Sequence, residues 1–286
     1  MTDAPDTGMY YDIPYGIYDQ WPALRKTHLW VLNEETPLDY RDRLDHPDAY
    51  DSPSLAFGRM FHAAVCEPET FERDYVAPPP PPDGAETWDR RTKAHKEAWA
   101  EWVDANAGRT VIAQDEYDAM RHMRDAVWSH ETARMLLDAG KTEVSMLWRD
   151  AQTDLLLKGR IDLWIPSGVV VDFKSARHCA PRRFGKDAYG YGYHYQMAMY
   201  RDGAIATSGV EVAMPILIAV GKERPWHVAV YELDPDQVGM GMAQYRHTLG
   251  VVKECMEADR WPGYDTGVMS LPFPAYAGTE LYAAAI

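Results

Sequence analysis

The chain has 286 residues, 46% hydrophobic and 26% charged, and a formal net charge of −15 at pH 7. That length can bury a substantial core, as one large domain or two small ones. Its three scattered cysteines exclude a disulfide framework, and no apolar run reaches the roughly 18 residues that span a bilayer.

Residues 1–16 read as irregular; their start, MTDAPDTGMY, is acidic and lacks the basic-then-apolar order of a signal peptide, so a soluble cytoplasmic protein is expected. A short helix is predicted near 18–25. Residues 55–67 read as a helix stopped by Pro68. Gly58 and His62 lie at i and i+4 on one of its faces, so the small residue leaves room beside the histidine. A single histidine there is most often a core or surface residue; next to other donors it becomes a metal ligand through a neutral ring nitrogen. The proline run at 78–82 is a stiff loop. Helices are predicted over 87–106, 114–129 and 131–139. Residues 1–286 thus read as a single domain with a helical insertion at about 86–139. Strands follow at 142–148, 155–165 and 169–174, then a helix at 194–205 and strands at 212–220 and 227–232. A last helix, 235–258, starts after Asp234, a suitable N-cap. The alternation implies an α/β fold with a mixed central sheet flanked by helices.

The chemistry concentrates between Gly159 and Tyr200. Asp162 and Asp172 stand ten residues apart, each beside an apolar run. A turn at Pro166, Ser167 and Gly168 makes their strands a hairpin and brings the two acids together. Asp172 and Lys174, at i and i+2, project from the same face of a strand. Two close carboxylates repel unless a cation lies between them, and a hard divalent ion bound through oxygen, Mg²⁺ above all, answers that need. A lysine beside it can orient water or stabilise charge on a phosphate. A D-x-K triplet alone is common and is usually solvated surface. Here the apolar context of both acids demands partners for buried charge. Gln196 and Tyr200 then share a helix face at i and i+4, where an amide can position water or backbone and a phenol can contact phosphate.

The ordered set Gly58, His62, Glu67-Pro68, Arg91-Thr92, Thr110-Val111-Ile112, Glu143, Gly159-Arg160-Ile161-Asp162, Asp172-Phe173-Lys174 and Tyr193-His194-Tyr195-Gln196 with Tyr200 resembles the RecE-type exonucleases. These form part of the RecB-like branch of the PD-(D/E)XK nucleases. The late tracts Trp261-Pro262 and Ser270-Leu271-Pro272 also fit, so the likeness runs from about residue 10 to 272. The resemblance implies that Asp162, Asp172, His62 and the Phe173 carbonyl hold Mg²⁺, with Mn²⁺ able to substitute. It implies that Lys174 is the catalytic lysine, that Gln196 and Tyr200 line the site, and that Glu143 is an acid at the start of the sheet. It further implies a phage- or prophage-encoded enzyme acting on double-stranded DNA ends, processively and 5′ to 3′. A ring-shaped homo-tetramer and a single-strand annealing protein as partner come with it. Several RecB-like members carry four cysteines for an iron–sulfur cluster; Cys66, Cys179 and Cys255 cannot supply one.

The net charge opposes DNA binding at long range. Two local clusters can offset it: Arg90, Arg91, Lys93 and Lys96, and Arg182, Arg183 and Lys186 just after the catalytic strand. Each is equally readable as a solvated helix face. Two other functions fit the same fold. One is a RecB-like nuclease for single strands or CRISPR adaptation, against which the missing cysteines count. The other is a non-catalytic DNA-binding protein, against which the intact lysine counts.

Overall fold

A computed structural model describes residues 5–50, 52–85, 87–89, 91–264 and 267–271. Arg90 and Pro272 fall outside the described residues. In chain order the elements are β1 (Gly8–Tyr10), α1 (Tyr15–Asp19), α2 (Lys26–Leu29), α3 (Pro37–Asp45), α4 (Pro53–Cys66), α5 (Pro68–Asp74), β2 (Tyr75–Val76), α6 (Lys93–Ala105), β3 (Thr110–Val111), α7 (Gln114–Ser129) and α8 (Glu131–Ala139). Then come β4 (Lys141–Arg149), β5 (Leu156–Ile165), β6 (Val169–Ala176), α9 (Pro181–Gly190), α10 (Tyr193–Ser208), β7 (Met214–Gly221), β8 (Val228–Glu232) and α11 (Pro235–Ala258). Short 3₁₀ turns follow α2 and α3. No described helix is long and apolar enough to cross a membrane.

Six strands form one mixed sheet in the order β1-β4-β5-β6-β7-β8, and its single parallel pair is β6 with β7. This is the predicted α/β architecture. The β5–β6 hairpin forms as predicted, and its turn needs a glycine: Gly168 sits at φ +93°, where a Cβ would meet the Glu211 carbonyl at 2.2 Å.

Each face of the sheet carries its own core. On one, Val144, Met146, Trp148, Leu157 and Ile161 pack against α10 and α11. On the other, Leu163, Val171, Phe173 and Ile218 pack against Phe61 of α4, Met120 and Met123 of α7, and Leu136 and Leu137 of α8. Helices α7 and α8, which fall in the predicted insertion, thus build one layer of the core, whereas α6 keeps largely to a local cluster of Trp88, Trp99 and Trp102. Helix α10 is buried on every side because it lies between the sheet and α11. Gly241 permits that approach, since a Cβ there would lie 2.3 Å from the His194 carbonyl oxygen.

The N-terminal region departs most from the sequence reading. The predicted helix over 18–25 is split into α1 and α2, because Pro22 cannot continue an i→i−4 ladder. The residues between them join the sheet instead: Leu24 N–H donates to Leu156 O at 2.9 Å, and Lys158 N–H donates to Leu24 O at 2.8 Å. Within the segment read as irregular, β1 pairs antiparallel with β4. Helix α6 starts six residues later than predicted, at Lys93, where Thr92 Oγ1 accepts from His95 N–H.

Candidate active site

The site forms where the sheet loses its regular pairing. Strands β5 and β6 pair at Leu163–Val171, Trp164–Val170 and Ile165–Val169. One step further, Asp162 and Asp172 face each other without the ladder; the Phe173 N–H instead donates to Asp162 Oδ2 at 2.7 Å. The same level is broken on the other side of β5. Thr142–Leu163 and Val144–Ile161 pair, but Glu143, opposite Asp162, does not. Glu143 adopts φ +54°, a left-handed conformation that is uncommon for a non-glycine residue and costs on the order of 1 kcal/mol or more. Side-chain alternation reverses at this point. Ile161 faces the α10 core, whereas Leu163 and Ile165 face the α4–α7 core. Asp162 therefore stands at a crossover, within reach of both layers.

Three elements bring donors to it. From β6, Asp172 and Lys174 project on one face, with Lys174 Nζ 2.6 Å from Asp172 Oδ2. From α10, Gln196 Nε2 donates to Asp172 Oδ1 at 2.6 Å, while its Oε1 accepts from Lys174 Nζ at 3.1 Å. From α4, His62 Nδ1 lies 3.2 Å from Asp162 Oδ2. Tyr200, one turn beyond Gln196, fits against Gly159, where a Cβ would press on its ring at 3.1 Å. Asp162 and Asp172 are only 7% and 1% exposed, so these contacts stand in for lost hydration. All eight predicted catalytic and metal-binding positions (His62, Glu143, Asp162, Asp172, Phe173, Lys174, Gln196 and Tyr200) line one cleft of about 1000 Å³.

The electrostatics are those of crowded, buried charge. Burial first, and then the charge of Asp162, push the Asp172 carboxyl up to about 6 against the pull of Lys174 and His62. The same two causes push Glu143 to about 7, opposed by Arg160. Burial alone would lower His62, but Asp162 and Glu143 outweigh it and raise the imidazole to about 9. Lys174 is likewise drawn down by burial and held above its ordinary value by Asp172. Burial keeps the Tyr200 phenol protonated.

These residues fit a divalent cation. His62 Nδ1, Glu143 Oε1 and Asp172 Oδ2 are buried without a well-aligned hydrogen bond, although each lies in a polar cluster that opens on the cleft. Two carboxylates, an imidazole and a backbone carbonyl form a donor set suited to Mg²⁺ or Mn²⁺. His62 must lose a proton to join it.

The predicted DNA-binding residues do not converge there. Arg182, Arg183 and Lys186 are exposed on α9, and of these only Arg183 borders a cavity, a smaller bowl beside the cleft. Arg91 is exposed in the loop before α6, outside the cleft, and its guanidinium bonds Asp89 at 2.9 and 3.1 Å. His194 turns toward α11, with Nε2 2.7 Å from Gln244 Oε1.

Several cleft residues had no role in the sequence reading. Arg160 was visible in the Gly-Arg-x-Asp motif, but its Nε bond to Glu143 Oε2 exists only once β4 and β5 pair. The Tyr193 ring lies 4.6 Å from Lys174 Nζ on one side and 6.0 Å from Lys26 Nζ on the other. Lys26 in turn donates to the Tyr191 carbonyl at 2.7 Å, across 165 residues of sequence. Nothing local signals that contact.

An acid from one strand facing an acid-x-lysine on the next, where a mixed sheet splays beneath a helix bearing glutamine, defines the PD-(D/E)XK nuclease class. The chain belongs to the family described as a PDDEXK-like domain of unknown function, DUF3799, whose profile matches residues 34–269. It is an enzyme of that nuclease class. Among solved structures, a candidate exonuclease from Eubacterium rectale aligns with a TM-score of 0.61 at 11% identity, covering 94% of this chain and 99% of its own. That likeness shows the fold alone. A phage-related exonuclease from Haemophilus somnus 129PT aligns at TM-score 0.33 and 12% identity, over 59% of this chain and 84% of its own. An alkaline exonuclease from Laribacter hongkongensis aligns at TM-score 0.27 and 12% identity, over 70% and 97%. Neither of these two scores carries an argument. No curated protein matches the chain.

Proposed function

We propose that this protein is a Mg²⁺-dependent exonuclease that enters linear double-stranded DNA at an end, digests one strand 5′ to 3′, and leaves a 3′ single strand for recombination. The observation that carries this reading is the buried Asp162–Asp172–Lys174–Gln196 cluster lining an open cleft. Asp162, Asp172, His62 and the Phe173 carbonyl would hold the ion, which when bound supplies Lewis-acid stabilisation of phosphate charge and lowers the pKa of a water. Lys174 carries a fixed positive charge at the carboxylate pair, placed to stabilise an anionic phosphate or orient a nucleophilic water. Gln196 locks both Lys174 and Asp172 through its amide, so neither needs to reorganise during reaction. Arg160 neutralises Glu143 and limits repulsion beside Asp162. By resemblance, the working form is a homo-oligomeric ring in the cytoplasm of a phage-infected or lysogenic bacterium, partnered by an annealing protein.

The deciding assay offers linear and covalently closed duplex of one sequence with Mg²⁺. The reading predicts mononucleotides and a long single strand from the linear form and survival of the circle. Efficient cutting of closed circles, or equal digestion of single strands, would replace it with an endonuclease or single-strand activity.

A further inference from the structure

Beside the cleft lies a second bowl of about 420 Å³, bordered by Arg177, Arg183 and Arg224 from three separate segments, with His178 and His227 between them. None of these arginines has a carboxylate partner among the described residues; Glu223 is the one acid on the rim. Three guanidiniums without carboxylate partners around one hollow are unexpected in a chain of net charge −15. Ala180, at the start of α9, also borders the hollow. It is the N-cap and offers no side-chain acceptor to the first turn, and Pro181 follows at N1. The Arg183 and Phe184 N–H groups bond the Ala180 carbonyl at 3.0 and 2.9 Å, so this helix start offers the Arg182 N–H and the positive end of its dipole.

Arg177 also borders the active cleft, so the two cavities are neighbours. It stands three residues beyond Lys174 in the chain, roughly 10 Å of extended backbone. The geometry points to this bowl as a phosphate cradle that grips a backbone phosphodiester of the DNA close to the bond being cut. Arg177, Arg183 and Arg224 form the cradle, whereas Arg182 and Lys186, which border neither cavity, add only to the general field. Fork-shaped guanidiniums suit a phosphate with two unesterified oxygens. The open rim suits a strand passing through rather than a small ion held inside.

This inference rests on the nuclease reading for its ligand, and its test does not. Binding of a fluorescent 30-base-pair duplex is measured in EDTA, where no cleavage occurs, across a salt series. Arg177→Ala with Arg224→Ala should weaken binding at least tenfold and flatten the slope of log K against log salt by about one. Glu223→Gln should act in the opposite direction and tighten binding several-fold, a sign that misfolding would not produce. Arg182→Ala with Lys186→Ala should change affinity less than the arginine pair. A double arginine variant that binds like wild type, an unchanged Glu223→Gln affinity, or calorimetric binding of inorganic phosphate at micromolar concentration would overturn the cradle. A protein that shows the arginine and Glu223 effects but never cleaves DNA would uphold the cradle and remove the nuclease reading. Cleavage with arginine-independent binding would do the reverse.

Discussion

Lys174→Met keeps an apolar stem and deletes the ammonium 2.6 Å from Asp172 and 3.1 Å from Gln196. Turnover should fall by several orders of magnitude, because the variant lacks the ammonium that contacts both Asp172 and Gln196. The stability effect is the sharper test, since its sign depends on pH and metal. The Asp172 carboxyl already sits at about 6 through burial and then Asp162. Against an unfolded value near 3.9, ionising it in the folded, metal-free protein costs about 3 kcal/mol at pH 8. Because the folded value is raised, this carboxyl favours the fold fully below about pH 4 and ceases to do so as pH climbs through 6. Without Lys174 the carboxyl moves higher still, so the added loss should be small at pH 5.5 and large at pH 8. Stripping one partner from a buried pair costs about 3–5 kcal/mol, roughly 5–15 °C in melting temperature for a chain of this size. Glu143, near 7, titrates in both proteins and largely cancels in the difference. Thermal melts in EDTA at both pH values check this, and added Mn²⁺ should recover part of the gap by mass action. A variant that melts with wild type at pH 8, or cleaves DNA at the wild-type rate, refutes the assignment.

EDTA should abolish cleavage and Mg²⁺ or Mn²⁺ restore it, whereas Ca²⁺, with its looser coordination, should bind and support little turnover; cleavage in EDTA would end the metal mechanism. His62→Ala should weaken metal affinity, with partial rescue by excess Mn²⁺, and a metal titration identical to wild type would make His62 structural. Since His62 is raised to about 9, ion binding at pH 7.5 should release about one proton, read by calorimetry in buffers of different ionisation enthalpy; His62→Ala should lower that release. Gly159→Ala should cost about 1–3 kcal/mol in urea denaturation and lower turnover, because the new Cβ presses on the Tyr200 ring at 3.1 Å; wild-type behaviour in both would show that the ring has room to shift.

Most of the sheet and the cluster on it were legible because each rests on a local signal. The runs that became β5 and β6 are apolar and bounded by a Pro-Ser-Gly turn. The start of α11 was legible from Asp234, which does accept from Gln237 N–H at 2.8 Å. Strand and helix periodicity put Asp172 with Lys174 and Gln196 with Tyr200 on shared faces, and the family resemblance supplied their roles. What escaped depends on contacts distant in sequence. Strand β1 spans three residues, too few to show a period, and is fixed only by its pairing with β4. Lys26 borders the cleft beside Trp30, whose ring packs on Gly192, where a Cβ would strike it at 2.4 Å. The basic run 182–186 was legible as charge, but not which way α9 would turn it. Phe184 is the residue α9 buries, so its neighbours are left outward and Arg177 and Arg224 come forward instead.

The reversal of side-chain alternation at Asp162 explains how so acidic a cluster can exist inside a folded protein. At one level of the sheet, β4, β5 and β6 each give up a regular pair, and each places a carboxylate there: Glu143, Asp162 and Asp172. Three cations meet them, Arg160 from β5, Lys174 from β6 and His62 from α4. With His62 protonated the cluster is formally balanced, which lets it be buried without a metal. Arg160 and Lys174 cannot readily leave, because each is tied to a carboxylate by a short contact. His62 can, since loss of one proton removes its charge and frees a lone pair. Exchange of that proton for a divalent ion would raise the local charge by one, from balance to net positive, which would favour an approaching phosphate. The strain at Glu143 and the broken ladder are thus the local costs of gathering three carboxylates at one level of the sheet.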